Sequence, residues 1–133
     1  MKTLVVEDDY TIRTILLETL SEYGQCHARI NGQEGVEAFA AASEQGEPYE
    51  LIVLDLIMPV MDGRAALKRI REMERNMGVA QKDEVKVVVL TVEDEPKIII
   101  DTFYAGGATE YLLKPVNLDK LLHILTSLKL IAA

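Results

Sequence analysis

Acids stand at the ends of two separate apolar runs in this chain. Asp8 and Asp9 follow Leu4-Val5-Val6 after one intervening residue, Glu7, and Asp55 closes Leu51-Ile52-Val53-Leu54. Short β-branched runs bounded by polar residues read as buried parallel strands. Open α/β sheets bind ligands outside the carboxyl ends of their strands. Two distant stretches therefore bring carboxylates to one sheet edge. Clustered carboxylates repel unless a cation or proton intervenes, and a hard divalent metal with oxygen ligands is the economical answer. Two more strand ends add Thr91, after Val85 to Leu90, and Lys114-Pro115, after Glu110 to Leu113. An acid pair, a single acid, a hydroxyl and an amine can together hold a metal ion and a phosphoryl group.

The elements that must position these groups alternate. Strands are predicted over 3–6, 26–30, 51–54, 85–90 and 110–113, and helices over 11–23, 33–43, 64–77, 96–104 and 118–130. Ile12, Ile15, Leu16 and Leu20 form one helical stripe, and Leu118, Leu121, Leu122, Leu125 and Leu128 form another. Gly24, Gly46-Glu47-Pro48 and Gly106-Gly107 punctuate the pattern. Strands alternating with helices imply an α/β fold, a doubly wound parallel sheet with right-handed crossovers.

At 133 residues the chain is the size of a single domain, and 1–133 is read as one. Its 49% apolar content suffices for a core, and 27% charged residues suit a water-facing surface. The net charge of −8 argues against direct binding to nucleic-acid phosphates. No apolar run reaches the ~18 residues of a membrane span, no signal peptide is visible, and no linker or output domain follows the last predicted helix. Cys26, the lone cysteine, fits a reducing cytoplasm, the expected location. His27 and His123 lack metal-ligand spacing and are read as ordinary side chains.

Taken together, Glu7-Asp8-Asp9, Asp55 to Gly63 (Asp-Leu-Ile-Met-Pro-Val-Met-Asp-Gly), Thr91 and Lys114-Pro115 make the chain resemble the receiver domain of two-component response regulators, the CheY-like family. The likeness covers essentially the whole chain. Each motif is weak alone, and the four in this order and spacing are specific. The resemblance implies a five-stranded flavodoxin-like three-layer sandwich of order 2-1-3-4-5. It implies a signalling phosphoacceptor rather than an enzyme, with self-catalysed phosphorylation and dephosphorylation only. Asp55 would take a phosphoryl group from a sensor histidine kinase or a phosphotransfer protein. Asp8, Asp9, Asp55 and the backbone carbonyl of Ile57 would hold Mg²⁺. Thr91 and Lys114 would bind phosphoryl oxygens, and Tyr111 would change rotamer as the switch. Pro115 would follow a cis bond.

The resemblance further implies a readout face of helix four, strand five and helix five, for a downstream protein or a second copy of the chain. Glu7 is read as facing solvent or a neighbouring loop, and Asp62 as capping the third helix. Three departures from the family pattern stand out. Val92 follows Thr91 where small residues are usual, and is expected to narrow access to Asp55. Ile57 and Glu93 occupy positions that influence phosphoryl lifetime. The stretch from Gly63 to Thr91 is long, with the extra residues placed in 74–83.

Other classes fit less well. A haloacid-dehalogenase-type phosphatase would need a second acid at position 57, which is isoleucine. A flavin carrier would need a glycine- or hydroxyl-rich loop where the first acids stand. A degenerate receiver serving only as a protein-interaction module is the remaining alternative, against which the complete acid, hydroxyl and lysine set argues.

Overall fold

The structure is a computed structural model that describes residues 1–92, 101 and 107–132. Five parallel strands, β1 (Thr3–Val6), β2 (Cys26–Arg29), β3 (Leu51–Asp55), β4 (Lys86–Thr91) and β5 (Glu110–Leu113), form one sheet of order β2-β1-β3-β4-β5. Every pairing is parallel. β1 and β3 are buried along their whole length, which is why they read as continuous apolar runs rather than alternating ones. Helices α1 (Tyr10–Ser21), α2 (Gly32–Glu44), α3 (Gly63–Asn76) and a C-terminal helix (Leu118–Ser127) connect and flank the strands. None of the described helices is long and apolar enough to cross a membrane.

Strand periodicity divides the core in two. Leu4, Val6, Ile52, Leu54, Val87 and Val89 point to the side of α2 and α3, where they meet Phe39, Leu67 and Ile70. Val5, Leu51, Val53, Val88 and Leu90 point the other way, toward Leu16 and Leu20 of α1 and Leu121 and Leu125 of the C-terminal helix. The predicted leucine stripe of that last helix is therefore its buried face. The helix itself ends at Ser127 rather than 130. Thr126 and Ser127 turn their hydroxyls back onto the carbonyls of Leu122 and His123, and Lys129 adopts a left-handed φ of 61°. The Leu130 amide then donates to the Leu125 carbonyl, a Schellman-type closure that leucine spacing does not announce.

The four described helices start alike. Asp9, Asn31, Asp62 and Asn117 are their N-caps, and each side chain accepts the amide hydrogen of the residue three further on. In a parallel α/β fold these caps lie at the carboxyl edge of the sheet, so partly positive helix ends border the site. Gly63 opens α3 directly against the end of β3. A Cβ there would stand 2.1 Å from the Asp55 carbonyl oxygen, so only glycine lets the helix start so close. The predicted fourth helix, with Ile98, Ile99, Ile100, Phe103 and Tyr104, lies outside the described residues.

The long stretch before β4 forms a closed loop. After α3 it runs through a single 3₁₀ turn at Gln81–Asp83 and is fastened by a buried ion pair. Arg71 Nη1 lies 2.6 Å from Glu74 Oε1 and also donates to the Val85 carbonyl, while Glu74 Oε2 accepts the Val85 amide at 2.7 Å. Arg71 Nε and Nη2 both donate to the Gly107 carbonyl. One guanidinium thus ties α3 to the start of β4 and to the approach to β5.

Elsewhere the polar side chains are structural. His27 Nδ1 meets the Tyr49 hydroxyl at 2.7 Å with the rings edge to face. Burial pushes the Cys26 thiol up to about 11, which leaves it an unreactive, half-buried side chain. Arg71→Met should lower the unfolding free energy by ~3 kcal/mol, because it strands a buried carboxylate. Adding Glu74→Gln should recover part of that loss. Urea denaturation of both variants checks this, and a single-variant loss under ~1 kcal/mol would show that the pair does not hold the loop.

Candidate functional site

The register of β1 against β3 builds the acid cluster. Val5 pairs with Val53 and Val6 with Leu54, so the next residue of the first segment, Glu7, comes beside Asp55. Both acids continue the face that Val5 and Val53 begin. Glu7 is fully buried and Asp55 is 3% exposed, while Asp8 is exposed at the turn into α1. Carboxylate oxygens of Glu7, Asp8 and Asp55 all lie within 4.8 Å of one another.

This corrects the sequence reading by one residue. Glu7, expected in solvent, is the deepest acid of the cluster, and it takes the place expected of Asp9. Asp9 Oδ1 is occupied as the cap of α1, accepting the Ile12 amide at 2.9 Å. The Asp9 amide in turn donates to Glu7 Oε2, and Arg13 Nη1 donates to the carbonyls of Glu7 and Asp8. The physical reason is the end of the strand. β1 stops at Val6, the residue after it still obeys the strand's alternation, and two residues later the chain has already turned into a helix. The repeated Val-x-acid pattern, Val5-Val6-Glu7 beside Val53-Leu54-Asp55, was the signal available for Glu7.

Lys114 reaches into this cluster from the end of β5. Its Nζ lies 3.0 Å from Glu7 Oε1 and 3.3 Å from Asp55 Oδ2. The Lys114 ammonium is thus the charged partner of Glu7 Oε1. The Ile57 amide donates to Asp55 Oδ1 at 3.3 Å. The Ile57 and Val92 side chains stand largely in solvent. Thr91 is buried at the end of β4, paired with Leu113, and its carbonyl accepts the Lys114 amide. Tyr111 is half-buried and packs against the core on the α2 and α3 side. The Lys114–Pro115 peptide bond is cis.

Burial dominates the electrostatics. It pushes the Glu7 carboxyl up to about 7, against the Asp9 amide and Lys114, which favour the charged form. It also raises Asp55, with the Lys114 charge opposing. Burial pulls the Lys114 ammonium down, but its contact with Glu7 and the charges of Asp55 and Glu7 outweigh this and leave it raised. Three carboxylates meet one ammonium here, so full ionisation leaves two negative charges uncompensated. A divalent cation with oxygen ligands matches that charge.

With this geometry, comparison with known proteins is informative. The response regulator receiver domain family matches residues 3–126. Two-component response regulator ORR41 of Oryza sativa subsp. japonica is 30% identical over 98% of this chain and 95% of its own length. Two-component system protein A of Emericella nidulans is 32% identical over 92% of this chain, which spans 16% of that longer protein. Among solved structures, the co-crystal of the Saccharomyces cerevisiae histidine phosphotransfer protein Ypd1 with the receiver domain of the response regulator Ssk1 matches with a TM-score of 0.82. The identity is 29%, over 99% of this chain and 92% of the matched one. The chain belongs to the response regulator receiver domain family, the signalling receivers of two-component systems.

The raised Glu7 carboxyl has a consequence for stability. A carboxyl whose folded value lies above its unfolded value binds its proton more tightly when folded. Its contribution to stability therefore falls as pH rises from 4.5 toward about 7. Without metal, the stability of wild type relative to Glu7→Gln should decline by on the order of 1 kcal/mol between about pH 5 and about pH 7.5. Chemical denaturation in a chelator measures this, and a pH-independent difference would refute it.

Proposed function

We propose that this chain is a phosphoacceptor switch, a single domain acting in the cytoplasm, with Asp55 as the acceptor. The observation that carries the reading is the buried Asp55 carboxylate at the end of β3, within 3.3 Å of Lys114 and clustered with Glu7 and Asp8. Phosphoryl transfer leaves little covalent work to a protein, and positioning and charge neutralisation are most of the task. An Asp55 oxygen attacks phosphorus, a P–O bond forms, and the P–N bond of a donor phosphohistidine breaks. The imidazole leaves with a proton taken from solvent. Later attack by water returns the carboxylate and inorganic phosphate.

The donor is a histidine kinase or a phosphotransfer protein, a reading supported by the likeness to the Ssk1 receiver in its complex with Ypd1. Glu7, Asp8, Asp55 and the Ile57 carbonyl would hold Mg²⁺, which supplies charge neutralisation for the entering phosphoryl group. Lys114 pairs with Asp55 at rest and with a phosphoryl oxygen afterwards. The Thr91 hydroxyl binds another oxygen, and Tyr111 packs inward behind it. A new charged group that biases a two-state side chain in this way can reshape a distant face. That face, β5 and the C-terminal helix together with the helix expected from sequence before β5, then recruits a downstream protein or a second copy of the chain.

Intact-mass spectrometry with a small phosphodonor should show one added phosphoryl group on wild type, only with Mg²⁺ present, and none on Asp55→Asn. Undiminished labelling of that variant would overturn the assignment. Mg²⁺ titration separates the two possible acid pairs. Asp8→Ala should weaken binding by about tenfold or more, as expected for removing one carboxylate of a small cluster, whereas Asp9→Ala should change it far less. The reverse order would restore Asp9 as the ligand.

A further inference from the structure

Charge is unevenly placed along this chain. Half of its 14 lysines and arginines fall in residues 64–86, which hold only four of its 22 acids. That segment is α3, the loop after it and the first residue of β4. Two of the four acids are already committed to Arg71, Glu74 at 2.6 Å and Glu84 at 3.9 Å. Glu72 and Asp83 are the other two. Arg64, Lys68, Arg69, Arg75 and Lys82 are exposed, and none of them forms an ion pair with another described residue.

Helix geometry makes a stripe of three of these cations. Arg64, Lys68 and Arg75 stand at i, i+4 and i+11 of α3, within about 40° of one another around the helix and along about 16 Å of it. Arg71, at i+7 on the same side, turns inward to the Val85 and Gly107 carbonyls instead. The stripe ends in a recess. Arg75, Val79, Gln81 and Glu84 line an open cavity of about 300 Å³. Met77, between the first two of these in sequence, is a large apolar side chain left exposed. Because α3 starts against Asp55 at Gly63 and ends at Asn76, the recess lies about 20 Å along the helix from the acid cluster. The long stretch before β4 thus builds a feature remote from the phosphoacceptor edge.

We propose that the basic stripe of α3 and the recess at its end form a docking surface for an acidic protein segment, one that carries several carboxylates and an aliphatic side chain. The inference does not depend on Asp55 being the acceptor. Interspersed signs suffice to keep a helix face solvated. Here one sign is gathered on a flank whose nearest acids, Glu74 and Glu84, are held by Arg71. Guanidinium forks match carboxylates with paired hydrogen bonds. Charge of this kind steers and selects a partner, while the recess with Met77 and Val79 offers the apolar contact that carries affinity. Long polyanions fit less well. The remaining 18 acids and seven cations lie outside this segment, and an RNA strand or an anionic membrane reaches past the Debye length of about 10 Å into their repulsion. A short segment stays within the stripe.

Fluorescence anisotropy at low salt tests this with a labelled peptide of Glu-Glu-Leu repeats, its Gln-for-Glu counterpart, polyuridylate and phosphatidylserine vesicles. The proteins are wild type, Lys68→Glu/Arg75→Glu, Lys68→Gln/Arg75→Gln, Met77→Gln and the charge-matched control Lys120→Glu/Lys129→Glu. All of these side chains are exposed, so every variant should melt close to wild type. Wild type should bind the glutamate peptide and not the glutamine one. Charge reversal at Lys68 and Arg75 should weaken binding by about tenfold, and neutralisation by less. Met77→Gln should cost about threefold, and the control pair should stay within about twofold of wild type. Absence of wild-type binding would overturn the proposal, as would unchanged affinity in Lys68→Glu/Arg75→Glu or in Met77→Gln. An equal loss in the control pair would also overturn it, because the peptide would then sense net charge rather than this face. Polyuridylate or vesicle binding that the Lys68→Glu/Arg75→Glu variant abolishes would replace the protein segment with a nucleic acid or a membrane.

Discussion

The ammonium of Lys114 stands between two buried carboxylates, Glu7 at 3.0 Å and Asp55 at 3.3 Å. These acids come from strands that the hydrophobic core forces side by side, so their mutual repulsion is built in by the packing. Burial raises both, and one lysine offsets only part of the charge. The cluster is therefore a place of high electrostatic cost inside an otherwise well-packed edge. Such a cost is tolerable where a ligand relieves it, and a divalent cation would do so.

The rest of the molecule is arranged around that edge. Four capped helix starts and the close approach of Gly63 bring backbone amides and turns to the same side. The opposite regions carry structural polar groups instead. The Arg71–Glu74 pair closes the loop before β4 and reaches the Gly107 carbonyl, which fixes the approach to β5 and hence to Tyr111 and Lys114. The site thus depends on a buried ion pair that takes no part in its chemistry.

One exposed apolar residue fits the same division. A protein with net charge −8 nonetheless places an exposed valine in a left-handed turn in the loop after Asp55. Local rules for turns disfavour that choice, and conflicts of this kind gather at functional sites.

The sequence by itself determined the alternation of strands with the four described helices, the two-sided core and the sheet edge at which the acids gather. Those follow from local pattern: apolar runs, helical spacing and capping residues act over a few positions. It also placed Asp8, Asp55, Thr91 and Lys114 at or just past strand ends on that edge. Tertiary structure decided which acids meet. Glu7 is buried and Asp9 caps a helix because β1 ends at Val6 and keeps its register with β3, a fact carried by pairing rather than by either strand alone. The early end of the C-terminal helix, the Arg71 clamp and the left-handed Val60 were likewise illegible. The helix end and Val60 depend on local backbone angles and side-chain hydrogen bonds, and the Arg71 clamp on partners remote in sequence; periodicity is blind to both.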